Sequence, residues 1–296
     1  MSTLRFDGRV AVITGAGRGI GRAHAMLLAS RGAAVVVNDI GAALDGSGAS
    51  SRPADEVVEE IVRAGGKAVA NYDSVSTDGG PEAIVAQAIS RFGRLDIVIN
   101  NAGFEMPTPF GGITLDNIRA HFEVHFFGTA AVTLAAWPHL VASGAGRVVN
   151  TTSATVYGLP NRTGYGAAKG AIFAFTRSLA LDGAAAGVKA NCIAPGAGTR
   201  MADNSDTSEA VKSFMRQSMP PELVAPAAAF LAHESCPLNG ETLSVGGGRV
   251  ARMALCENTG FVTEDLTPEA IRDNLASVLD ASTATILTRV ILPDQR

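Results

Sequence analysis

The chain has 296 residues, 47% of them hydrophobic and 18% charged, with a formal net charge of −4, values that exclude disorder and a polybasic nucleic-acid or membrane surface. An aromatic share of 5% argues further against a base-stacking surface, while the length suits one large α/β core with an appendage. The three cysteines, Cys192, Cys236 and Cys256, show no C-x-x-C spacing, as expected of small buried hydrophobes and reduced thiols in a cytoplasmic setting.

Met1 to Gly8 is short and polar, so no secretory leader is expected, and Val10 to Ile13 reads as the first buried strand. It runs into Thr14-Gly15-Ala16-Gly17-Arg18-Gly19-Ile20-Gly21, followed by an amphipathic helix from Arg22 to Arg31. The spacing is T-G-x-x-x-G-x-G. With strand and helix on either side, Gly15, Gly17, Arg18, Gly19, Ile20 and Gly21 form a candidate phosphate cradle; the alternative is a tight turn. The second strand, Ala33 to Asn38, ends at Asp39, 24 residues beyond Gly15. A carboxylate there accepts hydrogen bonds from an adenosine ribose. It would repel a 2′-phosphate by about 4 kcal/mol per unit charge at ~4 Å and an effective dielectric of ~20, so NAD is expected over NADP. Arg18 is the counter-argument, since a loop arginine can meet a 2′-phosphate.

A long polar loop, Ile40 to Arg52, precedes a helix from Pro53 to Ala64 and a third strand, Lys67 to Asn71. Asp73 and Ser74 follow at a position suited to the adenine edge. A helix from Pro81 to Phe92 leads to a fourth strand, Leu95 to Ile99, and then Asn100-Asn101-Ala102-Gly103. The small residues Asn101, Ala102 and Gly103 would admit a cofactor closely, with an Asn-Gly turn as the alternative. The helix expected from Leu115 to Ser143 carries His125 and His139 without metal-ligand spacing, and no metal is expected. Its charge-free stretch, Val124 to Val141, contains Gly128 and Pro138 and reads as a buried helix, not a membrane span.

A fifth strand, Val148 to Thr151, places Ser153 just past its carboxyl end, where open α/β sheets bind ligands. In the helix from Tyr165 to Asp182, Tyr165 and Lys169 are four residues apart and share a face. An ammonium beside a phenol is expected to lower its pKa and make it a usable acid or base. A sixth strand, Val188 to Ala194, closes at Pro195-Gly196; Ala197 to Met219 reads as a cover over a substrate; a helix from Pro220 to His233 and a seventh strand, Thr242 to Val245, complete the pattern. Strand and helix alternate throughout, so the expected fold is a three-layer Rossmann fold with a seven-stranded, doubly wound parallel sheet over residues 1–248 and a C-terminal extension over 249–296.

Five motifs in this order, TGAGRGIG, NNAG, a serine twelve residues before a tyrosine, YGAAK and Pro195-Gly196, make residues 6 to 248 resemble the short-chain dehydrogenase/reductase family. The resemblance implies that Tyr165 exchanges the proton of an alcohol or ketone, that Lys169 lowers its pKa and holds the nicotinamide ribose, and that Ser153 hydrogen-bonds the substrate oxygen. Thr152, thirteen before Tyr165, is the rival for the serine role. The asparagine of the family's V-N-x-x-G context is replaced by His125 in Val124-His125-Phe126-Phe127-Gly128.

A narrower likeness, carried by VVVNDIG, VVEEIVRAGGKAVANYDSV, AAWPHL, CIAPGAGTRM, AHESC and TPEAIRDN, is to the (3R)-hydroxyacyl-CoA dehydrogenase domain of peroxisomal multifunctional enzymes, the 17-beta-hydroxysteroid dehydrogenase type 4 group. It implies an NAD-dependent oxidoreductase taking an acyl-CoA or steroid-type substrate. The chain would be a free-standing dehydrogenase assembled as a homodimer or homotetramer through the helix after Tyr165. The extension would add a dimer contact or wall the substrate site. The C-terminal Asp294-Gln295-Arg296 is not a peroxisomal Ser-Lys-Leu address. The rivals are an NADPH-dependent 3-oxoacyl carrier-protein reductase, a 17-beta-hydroxysteroid dehydrogenase and a catalytically silent dinucleotide-binding module.

Overall fold

Short β-branched runs form the central sheet of this computed structural model, which describes residues 3–43, 46–203 and 206–288. The strands are β1 Val10–Thr14, β2 Ala34–Asn38, β3 Lys67–Asn71, β4 Ile97–Asn100, β5 Arg147–Thr151, β6 Lys189–Pro195, β7 Thr242–Gly246 and β8 Arg249–Met253, in the spatial order β3-β2-β1-β4-β5-β6-β7-β8. Neighbours from β3 through β7 pair in parallel. Every residue of β1, β2, β4 and β5 is buried, because both faces of the sheet are covered and polar alternation has no role.

Alternate residues of one strand enter two different cores, as the two-residue period requires. Ala11 and Ile13 join Leu28, Val57, Ile61 and Leu231 on one face. Val10 and Val12 join Ile84, Val132 and Leu140 on the other. The first face is therefore covered by α1 Gly19–Ser30, α2 Arg52–Arg63 and a later helix, Ala225–Ala232; the second by α3 Gly80–Phe92, the helical run Leu115–Ala142 and the helix Thr163–Ala184. Each fully buried Leu or Ile contributes about 1.5–3 kcal/mol.

Three expectations change. The sheet has eight strands, not seven. The added strand β8 follows β7 through the two-residue Gly247-Gly248 connection, which is too short for anything but a hairpin. The single helix expected from Leu115 to Ser143 is α4 Leu115–His121, a π turn Phe122–Phe127 and α5 Gly128–Ala142. This run is long and apolar enough to cross a membrane by length and composition, but Val132, Ala136 and Leu140 pack into the sheet's core. The cover expected at 197–219 contains two helices, α7 Arg200–Asp203 and α8 Glu209–Ser218, and stands after α6 Thr163–Ala184 and before α9 Ala225–Ala232.

The chain divides into two units after Ala251, within β8 and three residues beyond the boundary expected at 248. The second unit holds a two-stranded antiparallel ladder, β9 Cys256–Glu257 with β10 Thr285–Ile286. It also holds α10 Pro268–Asp273 and α11 Leu275–Val278. Thr267 caps α10 by accepting the Ala270 N–H at 3.0 Å, and Pro268 occupies its first turn. Asp294-Gln295-Arg296 lies outside the described residues.

Candidate active site

The strand order reverses between β1 and β4, and the loops leaving these strands meet there. Thr14 Oγ1 accepts the backbone N–H groups of Asn101 and Ala102, each at 3.0 Å, while Asn101 Nδ2 donates to the carbonyls of Thr14 and Gly15 at 3.1 and 3.0 Å. The Asn100-Asn101 pair is thus more than a turn. Asn101 ties the glycine loop to the fourth strand, and Asn100 Nδ2 reaches Asn150 Oδ1 on β5 at 2.9 Å. A Cβ at Gly21 would lie 2.1 Å from the Gly15 carbonyl oxygen, so only glycine lets α1 begin this close to the loop.

Asp39 stands at the tip of β2 with Oδ2 accepting Gly17 N–H and Oδ1 accepting Gly41 N–H, both at 2.7 Å. Arg18 and Arg200 lie near enough to act on one another, and Arg200 on Asp39. Asp73 is held by Asn71 Nδ2 at 2.7 Å and by its carbonyl to Asn38 Nδ2 at 2.8 Å, and Ser74 contacts Ser76. Arg18, Asp39, Asp73, Ser74, Asn101 and Arg200, with Pro195 and Gly196, line one cavity of about 820 Å³. Of the residues singled out as cofactor contacts only Gly17 is outside the lining; it supports Asp39.

Ser153, Tyr165, Lys169 and His125 line the same cavity. Ser153 lies close enough to Tyr165 to pull its pKa down, and its Oγ accepts the Thr155 N–H at 3.1 Å. Thr152 is buried and spends its hydroxyl on the Lys169 carbonyl at 2.7 Å. Lys169 Nζ donates to the Thr151 carbonyl at 2.8 Å and lies 5.6 Å from the Tyr165 ring centre. The π turn carries His125 inward, its ring 5.2 Å from that of Tyr165 and nearly perpendicular to it. His125 Nε2 donates to the Phe104 carbonyl at 2.7 Å, which leaves Nδ1 as a buried acceptor without a protein partner. A Cβ on Gly103 would fall 2.3 Å from His125 Cε1, so glycine and histidine here are one packing solution.

Sequence reasoning missed four further groups. His121 stacks on both Phe104 and His125, at 5.0 and 6.0 Å, and accepts the Met106 N–H at 3.3 Å. Glu105, Arg162 and Asp206 form an ion cluster on the cavity wall. Arg162 was findable, because it precedes Tyr165 by three residues and so shares its helix face; Glu105 and Asp206 carry no sequence signal.

The family model for short-chain dehydrogenases matches residues 9–210. The chain belongs to the short-chain dehydrogenase family. It is 42% identical over 288 residues to the peroxisomal multifunctional enzyme type 2 of Mus musculus, covering 96% of this chain but 38% of that enzyme. A crystal structure of a short-chain dehydrogenase from Mycobacterium avium superimposes with a TM-score of 0.80 at 33% identity, covering 95% of this chain and 96% of that one. A 7-alpha-hydroxysteroid dehydrogenase solved with NADH and 7-oxoglycochenodeoxycholic acid gives a TM-score of 0.74 at 33% identity, covering 84% and 98%.

The dehydrogenase family binds a nicotinamide dinucleotide, and the residues present fit one. The N-cap of α1, Arg18, makes no side-chain cap, so first-turn N–H groups remain available for a pyrophosphate. The electrostatics of this dehydrogenase reverse one expectation. Burial pushes Tyr165 up, with Glu105 adding to the rise, and these outweigh Ser153 and Arg162, which pull it down. Burial likewise lowers Lys169 to about 7. The dry site therefore disfavours charge on both groups more than it rewards their proximity. His125 is held well below its usual range by burial and by Lys169, which keeps it neutral.

Proposed function

We propose that the chain is an NAD-dependent dehydrogenase that oxidises the 3-hydroxyl of a (3R)-hydroxyacyl-CoA, straight-chain or steroid-derived, to the 3-oxoacyl-CoA. The observation that carries the reading is the cluster of Ser153, Tyr165 and the buried Lys169 in the same cavity as Asp39. The bound nicotinamide supplies the hydride acceptor. Ser153 Oγ holds the substrate oxygen, and Tyr165 Oη takes the hydroxyl proton. Lys169, when protonated, offsets the phenolate charge, and His125, neutral and packed beside the Tyr165 ring, adds no opposing charge. Asp39 supports NAD, because a 2′-phosphate would meet a carboxylate already locked onto the glycine loop. The substrate class rests on the likeness to the multifunctional enzyme.

Arg18 and Arg200 beside Asp39 favour the second reading, an NADPH-dependent 3-oxoacyl carrier-protein reductase. Kinetics over 3-hydroxyacyl-CoAs from short to steroidal, with NAD and NADP side by side, decide between them. NAD should be preferred, and the pH profile of oxidation should carry two opposed ionisations, the loss of the Tyr165 proton, held on by burial near neutrality, and the loss of the Lys169 charge near pH 7. Tyr165→Phe should remove nearly all turnover while NADH binding, followed by fluorescence, persists; retention of roughly a tenth of the activity refutes the role. Free Cys192, Cys236 and Cys256 suit a cytoplasmic setting.

A further inference from the structure

Arg162 is the N-cap of α6 and its side chain is 4% exposed. A guanidinium taken this far from water needs its charge answered. Glu105, 12% exposed and two residues beyond the Asn-Ala-Gly turn, pairs with Nε. Asp206, from the stretch between α7 and α8, pairs with Nη2 at 2.8 Å. The neighbouring residue, Asn161, is the non-glycine residue recorded with a positive φ, 62°. That backbone costs about 1 kcal/mol or more and persists only where surroundings enforce it. Its carbonyl accepts the Thr108 N–H at 2.9 Å, and its Nδ2 donates to Asp206 Oδ2 at 2.9 Å.

Two adjacent residues thus grip both oxygens of one carboxylate, Arg162 on Oδ1 and Asn161 on Oδ2. We propose that Asn161 and Arg162 form a carboxylate clamp that seats Asp206, and with it the 197–219 segment, against the substrate wall of the cavity, which makes Asp206 a positioning residue. The wall in question is lined by Leu159, Arg162, Asp206, Val211 and Met215, none of them part of the dinucleotide motifs. Arg162 first and Asn161 second hold the Asp206 carboxyl far below its usual range, so the clamp grips an ionised group at any pH where the enzyme works. Glu105 fixes the guanidinium from the other side, and Tyr165 follows Arg162 by three residues. The clamp therefore ties the covering segment to the helix that bears the acid/base.

The kinetic arm of the test rests on the dehydrogenase reading; the proteolytic arm does not. Asp206→Ala removes the gripped group, and Asn161→Gly removes one prong while keeping a residue that tolerates the left-handed backbone. With acetoacetyl-CoA and NADH as probes, Asp206→Ala should raise KM for the acyl-CoA about tenfold, the scale of a hydrogen-bonded charge, with kcat and the KM for NADH within about twofold. Asn161→Gly should raise it about threefold, and the double variant should be no worse than Asp206→Ala, because both remove the same contact.

Trypsin acting on the intact chain should cut at Arg200, Lys212 and Arg216 faster in both variants and no faster at sites outside the segment. Asp116→Asn, at the exposed pair with Arg119, should change nothing. Multiplicative effects of the two variants, or unchanged cleavage in the segment, overturn the proposal. So does a lowered KM of Asp206→Ala for a probe bearing a free carboxylate, which would make the clamp a substrate receptor. If the wild type reduces no 3-oxoacyl-CoA, the functional reading falls and the trypsin pattern alone decides the clamp.

Discussion

His24 sits in α1 with no exposed surface and neither ring nitrogen hydrogen-bonded to protein. Burial lowers it to about 4. The folded state therefore binds fewer protons than the unfolded chain between pH 4 and about 6.5, and stability must fall as pH falls through that window. The full loss is on the order of 3 kcal/mol below pH 4. His24→Leu should keep its Tm at about pH 4.5 several degrees above that of the wild type. At about pH 7.5 the two should differ little; equal acid sensitivity in the variant would exclude this account. Tyr165 and Lys169 teach the same physics at the site. Their shared helix face was legible from spacing, but the direction of their perturbation was not. Burial dominates, and burial is a property of the loops and strands packed over them.

At the scale of elements, what mattered was where strands end. Asp39 terminates β2, and its two oxygens are held by backbone N–H groups of the glycine loop and of Gly41. Asp39→Ala should lower the ratio of NAD to NADP efficiency at least about tenfold, since it deletes a charge that would stand near a 2′-phosphate; steady-state kinetics with both cofactors measure it, and an unchanged ratio assigns selectivity to Arg18 and Arg200. The strands themselves were readable because a two-face-buried strand needs an unbroken apolar run. The π turn at Phe122–Phe127 was not. It widens one turn of a helix whose apolar residues continue on either side, and nothing in the period of 3.6 residues reveals it. Its effect is large: His121 and His125 both face Tyr165.

On the whole molecule, α5 and the residue before it expose Phe127, Leu134 and Val141 at 52%, 72% and 38%, spaced by seven, while Leu181 on α6 is 60% exposed. Such a stripe suits a second copy of the chain, and we propose the homo-oligomer on this surface. Leu134→Glu with Leu181→Glu should reduce the molar mass measured by light scattering to that of one chain without lowering Tm sharply; a wild type that is already a monomer refutes the assembly.

Sequence by itself determined the wound α/β order, the glycine loop with Asp39, and the shared helix face of Tyr165 and Lys169, because each follows from short-range spacing on one strand end or one helix turn. Tertiary structure alone decided the eighth strand, the direction in which burial pushes Tyr165 and Lys169, and the Glu105, Arg162 and Asp206 cluster. These depend on which distant segments exclude water from one another, and desolvation has no signature in a linear pattern.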